Sequence, residues 1–309
     1  MKTGNFPDKL KVGKITPIYK KDNEQHLENY RPVSTLPIFG KIFEKVIFTR
    51  LYSFFVSQGL LHDKQFGFRK NHSTNHALNY SISHIKSQIS KGYHTLGIFI
   101  DLSKAFDTID HGILIKKLEH YGIRGPMLSL LASYLANRKQ CVSVLGETST
   151  LLSVIYGVPQ GSCLGPLLFL IYINDLGSLS KDSEIILFAD DTNIFVSAQT
   201  LESAFKTAQT VLNKISGYMN CNKLHINLDK SCFMLFQKRK TEISPDPTQN
   251  FDLKILGTPL PQVDQTKFLG VIIDDELSWQ PHVKSLVKKL SCCTGRLNRI
   301  TQFIPSEHH

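Results

Sequence analysis

The chain has 309 residues, of which 41% are apolar and 20% charged, enough to bury a sizeable core and divide into subdomains. Its net charge of +10 points to a polyanionic partner, with a solvated basic surface as the plain alternative. The six cysteines lack zinc-site spacing and the density of a disulfide framework, no apolar signal core opens the chain, and the longest apolar run, Leu164 to Ile173, is too short to cross a bilayer.

Residues 1–35 read as basic and loop-rich, without strong periodicity. Phe43, Ile47, Leu51 and Phe54 recur at spacings of three and four and predict a helix over 37–57. A second helix fits 73–90, with Ser73 as its cap and Gly92 beyond its end. The run Leu96 to Ile100 is a short apolar strand ending at Asp101. Helices follow over 110–121 and after Gly125, then a β-hairpin of Gln140–Leu145 with Leu151–Tyr156. The loop Gly157 to Ser162 leads into a helix over 165–176. Strands are predicted at Ile185–Ala189 and Asn193–Val196, and an amphipathic helix over 200–219. Short strands are expected near 232–237, 253–256 and 268–273, with a loose loop over 238–252. A final helix over 282–300 carries Lys284, Lys288, Lys289, Arg296 and Arg299. This order implies an α+β fold with an antiparallel sheet. No glycine-rich nucleotide fingerprint or phosphate loop is present.

Two acidic positions carry the chemistry. Asp101 ends one buried strand, and the Asp190-Asp191 doublet follows another. A carboxylate at the end of a buried strand is costly unless a cation receives it. Two such ends brought together would form an oxygen-rich cage for a hard cation such as Mg²⁺. The bland reading of the doublet alone is an acidic hairpin turn.

The motif order overturns that bland reading. Pro17 to Asp22, Asn29 to Ser34 and Gln65-Phe66-Gly67-Phe68-Arg69 precede Asp101-Leu102-Ser103-Lys104-Ala105-Phe106-Asp107. Gly157-Val158-Pro159-Gln160-Gly161-Ser162, Phe188-Ala189-Asp190-Asp191, Asn227-Leu228-Asp229-Lys230 and Lys267-Phe268-Leu269-Gly270-Val271 follow. In this order the chain resembles the reverse transcriptase domain of non-LTR (LINE-type, Jockey-like) retrotransposons, over nearly its whole length. The resemblance implies a right-hand polymerase: helical and loop fingers over 1–92, truncated at the N-terminus; an antiparallel-sheet palm packed on helices over 93–275; and the start of a truncated helical thumb over 276–309.

It also implies roles. Asp101, Asp190 and Asp191 are the metal-ligand candidates for Mg²⁺ or Mn²⁺. Neighbouring residues of a regular strand face opposite ways, so Asp190 is favoured over Asp191 as the direct ligand. Phe106 corresponds to an aromatic under the sugar that excludes a ribose 2′-hydroxyl; ordinary core packing is its alternative. Gln160 and Gly161 correspond to the nucleotide pocket, or to a tight turn before a helix. Arg31 resembles the finger arginine on the triphosphate, with Lys20 or Lys21 as its companion. Lys230 corresponds to a lysine that either protonates the leaving pyrophosphate or contacts phosphate. Phe268, Leu269 and Gly270 correspond to a hairpin that grips the primer. Asp107, Asp110 and Asp175 read as caps or structural hydrogen-bonders.

The expected activity is RNA-directed DNA polymerisation from an RNA template, a DNA primer and deoxynucleoside triphosphates, with no membrane partner. A non-catalytic nucleic-acid-binding relic is the first alternative, and an RNA-dependent RNA polymerase the second. The resemblance implies action in the nucleus; Lys238-Arg239-Lys240 is too short to decide for an import signal, and the two histidines of Glu307-His308-His309 are too few for a tag or metal site. The sequence leaves the oligomeric state open.

Overall fold

The computed structural model describes residues 4–20, 23–236 and 252–301. Lys21, residues 238–251 of the expected loop with Lys238-Arg239-Lys240, and the terminal His308-His309 pair lie outside the described residues. In chain order the elements are β1 (Val12–Tyr19), β2 (Tyr30–Thr35), α1 (Ile38–Ser57), α2 (Thr74–Ser90), β3 (His94–Leu102), α3 (His111–His120) and α4 (Gly125–Leu135). β4 (Arg138–Val144), β5 (Glu147–Thr148), β6 (Leu152–Val154), α5 (Gly165–Ile173), β7 (Glu184–Phe188), β8 (Asp191–Ala198) and α6 (Leu201–Cys221) follow. The chain continues through β9 (Ile226–Phe236), β10 (Lys254–Ile255), β11 (Thr258–Pro259), β12 (Gln265–Phe268), β13 (Val271–Asp274) and α7 (Gln280–Thr301).

The centre is an antiparallel sheet in the order β7-β8-β3-β9. Alternate residues of β3 face opposite sides, and each side has its own core. Leu96, Ile98, Ile100 and Leu102 pack with residues of α3, α4, α5 and α6. Phe99 points the other way, toward α2 and the β12–β13 hairpin. Asp101, two residues on, shares the side of Phe99. α5 explains how so apolar a run is tolerated: from Leu167 to Ile173 every residue is buried, so it is a central core helix.

Helix punctuation follows local chemistry. The Ser73 hydroxyl accepts the His76 N–H at the start of α2. The Asp110 carboxylate accepts the Ile113 N–H at the start of α3 and also bonds Lys223 at 2.7 Å. Asp175 accepts from Lys117 at 2.7 Å and from the Tyr218 hydroxyl at 2.6 Å. All six cysteines are unpaired, and no helix among the described residues is long and apolar enough to cross a membrane.

Three expectations are corrected. The loop-rich reading of 1–35 gives way to strands over Val12–Tyr19 and Tyr30–Thr35: β1 and β2 form an antiparallel pair, and β1 also runs parallel to β4. The pattern hides because a glycine, Gly13, occupies one of the two buried positions of β1, and Pro17 faces Pro32 across the pair. The strand expected at 268–273 is a hairpin, folded at Leu269 (φ 48) and Gly270 (φ 91) between β12 and β13. β9 begins at Ile226, six residues before the predicted strand, so Asn227 to Lys230 belong to the sheet.

Candidate active site

β3 carries Asp101 at its exit end, and the turn from β7 to β8 carries Asp190, with Asp191 opening β8. Because β3 and β8 are antiparallel neighbours, the end of one strand meets the start of the other. Ala189 adopts a left-handed conformation (φ 54), the sharp reversal that sets the doublet at the sheet's edge.

β9 supplies the cation. Its pairing with β3 shifts between Phe99, opposite Cys232, and Asp101, opposite Asn227. Residues 228–231 therefore bulge where β3 has only Ile100. The Ser231 hydroxyl donates to the Asn227 carbonyl at 2.7 Å and accepts the Asp101 N–H at 3.3 Å. Asn227 donates to the Asp101 carboxylate at 3.4 Å, and Lys230 Nζ lies 3.2 Å from the same oxygen. Asn227 and Ser231 were not singled out from sequence, because the strand was expected to begin after them. The polar run Asn227-Leu228-Asp229-Lys230 was the available signal.

Electrostatics ties the three carboxylates together. Burial first, then the charge of Asp101, raises the pKa of Asp190; Arg31 and Lys20 pull it back down. Burial, Asp190 and Asp101 push Asp191 up to about 6, opposed by Lys230. Arg31 on β2 and Lys20 just after β1 are both exposed, and both act on Asp190. Among the described residues no three His, Cys, Asp or Glu side chains converge closely enough to hold a metal ion. The donor set still suits a hard cation: it is all oxygen, and its mutual repulsion is what a dication relieves.

A cleft of about 320 Å³ is lined by Lys104, Asp107, Ser34, Gln140 and Gln160 among others; of the residues expected in the nucleotide pocket only Gln160 lines it, and Lys20, Arg31, Phe106 and Gly161 do not. The loop 157–162 is held from both sides. Gly157 N–H donates to Ile109 and Val158 N–H to Phe106, each at 2.8 Å, and Ser34 N–H donates to the Gln160 carbonyl at 2.7 Å. Gly161 has φ 120, and a Cβ there would sit 2.6 Å from the Ser34 oxygen, so the approach of loop to β2 requires glycine. The Gln160 amide donates to both oxygens of Asp107 at 3.0 Å. Asp107 is thus a structural hydrogen-bonder, as read from sequence, but in the cleft itself.

Phe106 is half-buried, stacked on Phe169 at 4.9 Å and meeting Phe68 edge-on at 6.0 Å. Phe268 is buried against Phe99, while Leu269 and Gly270 form the hairpin tip. A further residue escaped the sequence reading. Glu44 is buried in α1 and accepts from the Tyr134 hydroxyl at 2.9 Å and the Cys163 N–H at 2.6 Å. It fixes the far end of the loop that carries Gln160 and Gly161. A lone glutamate on a helix gives no periodic signal of such a role.

The family model for reverse transcriptase (RNA-dependent DNA polymerase) matches residues 18–273. The chain belongs to the reverse transcriptase family. A protein of the X-element transposon of Drosophila melanogaster, named a probable RNA-directed DNA polymerase, is 33% identical over 293 residues, spanning 92% of this chain and 31% of that protein. The RNA-directed DNA polymerase from the mobile element jockey of the same organism is 28% identical over 304 residues, spanning 96% of this chain and 32% of that protein. The chain thus spans about a third of the length of these relatives. Apo telomerase of Candida tropicalis, truncated from its C-terminal domain, superposes with a TM-score of 0.58 at 13% identity, covering 88% of this chain and 55% of that one. That likeness shows the right-hand polymerase fold, in keeping with the α+β expectation.

Proposed function

We propose that this reverse transcriptase domain extends a DNA primer on an RNA template with deoxynucleoside triphosphates, by metal-assisted phosphoryl transfer. One observation carries the reading: Asp101 and Asp190-Asp191, distant in sequence, lie at the same end of the sheet within reach of one another's charge, and that charge is opposed by Lys20, Arg31 and Lys230. That is the layout for a polyphosphate held between carboxylates and cations. The names of the transposon relatives, and a telomerase structure described in complex with a fragment of telomeric RNA, support nucleic-acid partners.

In this reading Asp101 and Asp190 hold Mg²⁺ or Mn²⁺, with Asp191 beside them. The ions, when bound, supply positive charge to the triphosphate and lower the pKa of the primer's 3′-hydroxyl. Arg31 and Lys20 grip the triphosphate, Lys21 being the alternative companion. Lys104 and the Gln160–Asp107 pair line the nucleotide cleft, and Phe106 sits beside it as the gate against a ribose. Lys230 leaves Asp101 for the departing pyrophosphate, as proton donor or phosphate contact. Phe268, Leu269 and Gly270 hold the primer end. Residues 1–92, 93–275 and 276–309 then serve as fingers, palm and the start of a thumb, and the work of the parent element places the protein in the nucleus.

The test is primer extension on an RNA template by the wild-type chain in Mg²⁺, repeated in Mn²⁺. Templated addition of deoxynucleotides supports the reading. A folded chain that binds primer–template and extends nothing in either ion is the binding relic instead, which the internal Lys230–Asp101 ion pair would then mark as a closed site.

A further inference from the structure

The segment Gln65-Phe66-Gly67 lies far from the catalytic doublet in sequence, yet it is clamped onto the turn that presents it. Phe66 N–H donates to the Leu187 carbonyl at 2.8 Å, and Leu187 N–H donates to the Lys64 carbonyl at 2.9 Å. This is a short parallel bridge along the free edge of β7. The Gln65 side chain goes further. It is 1% exposed, and its Oε1 accepts two backbone donors, Gly67 N–H at 2.8 Å and Ala189 N–H at 3.1 Å. Ala189 is the left-handed residue immediately before Asp190. Gly67 is pressed against the same residue: a Cβ there would lie 2.2 Å from the Ala189 nitrogen.

We propose that Gln65 is a positioning residue for the Asp190-Asp191 turn, its amide oxygen holding the strained Ala189 peptide so that the doublet is presented in one orientation. The proposal rests on the polymerase reading of the site. Three features support it. A left-handed non-glycine residue costs about 1–2 kcal/mol and persists only where its surroundings hold it. The turn's buried N–H receives its acceptor from a side chain outside the sheet. Finally, the side chain is an amide although its Nε2 is buried without a partner among the described residues. A carboxylate would accept the same two N–H groups and waste no donor. It would also place a further negative charge beside the neighbouring carboxylates Asp190 and Asp191. A neutral acceptor avoids that repulsion.

The experiment uses the 309-residue chain with Gln65→Met, which keeps length and volume but removes the acceptor, and Gly67→Ala, which forces the same contact apart from the other side. Hydrogen exchange is read on peptides spanning the 185–192 turn and, as internal control, the 94–102 strand. Single-nucleotide addition is read alongside. Both variants should exchange faster at the turn, by about tenfold or more, with the control strand unchanged. Their addition rate should fall by about 10- to 100-fold, with the apparent affinity for the nucleotide within about twofold. Wild-type exchange at the turn in a folded Gln65→Met variant would overturn the proposal, as would a wild-type rate in either folded variant. A variant that unfolds throughout, its control strand exchanging as fast as the turn, would assign Gln65 to general stability and count against the positioning role. If the wild-type chain does not extend a primer, the exchange arm still judges the clamp, and only the polymerase reading fails.

Discussion

β3 buries seven of its nine residues, while β1 buries two of eight. The three carboxylates belong to the first environment, and the cations Lys20 and Arg31 to the second. Asp101 and the 190–191 turn stand on a sheet packed from both sides, so their positions are set by two cores. Lys20 and Arg31 stand on an exposed ribbon, and reach the site through charge at a distance. Fixed groups suit the chemical step, and exposed ones suit capture of a charged ligand that arrives and leaves. Damage to the sheet side should therefore appear in the rate, and damage to the ribbon side in affinity.

The sharpest break of that comparison is Asp101→Asn. It should lower the nucleotide-addition rate by about 10³-fold or more while primer–template binding stays, as measured by pre-steady-state incorporation. Lys230→Ala should cost about 10- to 100-fold in rate. Lys230→Arg separates its two roles, restoring the rate if phosphate contact suffices and not if a proton must be given. On the ribbon side, Arg31→Ala should raise the KM for deoxynucleotide by about tenfold, the loss of a charge-assisted phosphate contact, with kcat little changed.

Stability gives a smaller and differently signed effect. Asp191 is raised from 3.8 to about 6, so the folded chain holds its proton longer than the unfolded one. Without metal, the cost of ionising it is absent below about pH 4, grows as pH rises toward about 6, and is complete above that. Asp191→Asn should then be more stable than wild type at pH 7 by up to about 3 kcal/mol, the gap closing at acid pH. Thermal melts across pH in a chelating buffer measure it, and added Mg²⁺ should narrow the difference. The smallest effect on the deoxynucleotide reaction belongs to Phe106→Val. It should gain ribonucleotide addition while keeping most deoxynucleotide activity; unchanged sugar selectivity would reduce Phe106 to packing against Phe169.

The two regions also differed in how far they could be read beforehand. The buried strands announced themselves: Leu96 to Ile100 and Ile185 to Ala189 are short apolar runs ending in acid, and both are strands of the central sheet, β3 and β7, one on each side of β8. The helices were equally legible from their caps, Ser73 and Asp110 among them. β1 and β2 were not, because Gly13, Pro17 and Pro32 interrupt the alternation that an exposed strand would show. The start of β9 was hidden by its bulge, which breaks period two where Lys230 turns toward Asp101. Gln65 and Glu44 were illegible as contributors for a simpler reason. Their partners, Ala189 and Cys163, lie more than a hundred residues away, and side-chain-to-backbone bonds at that range leave no local pattern.

The central claim is that Asp101 and the Asp190-Asp191 turn form one metal-dependent polymerising centre. It is tested most directly by RNA-templated primer extension with deoxynucleotides and Mg²⁺, comparing wild type with the Asp190→Ala/Asp191→Ala double variant, both verified as folded and primer–template-bound. The account predicts extension by wild type and none above background by the variant. Equal extension by the two would contradict it.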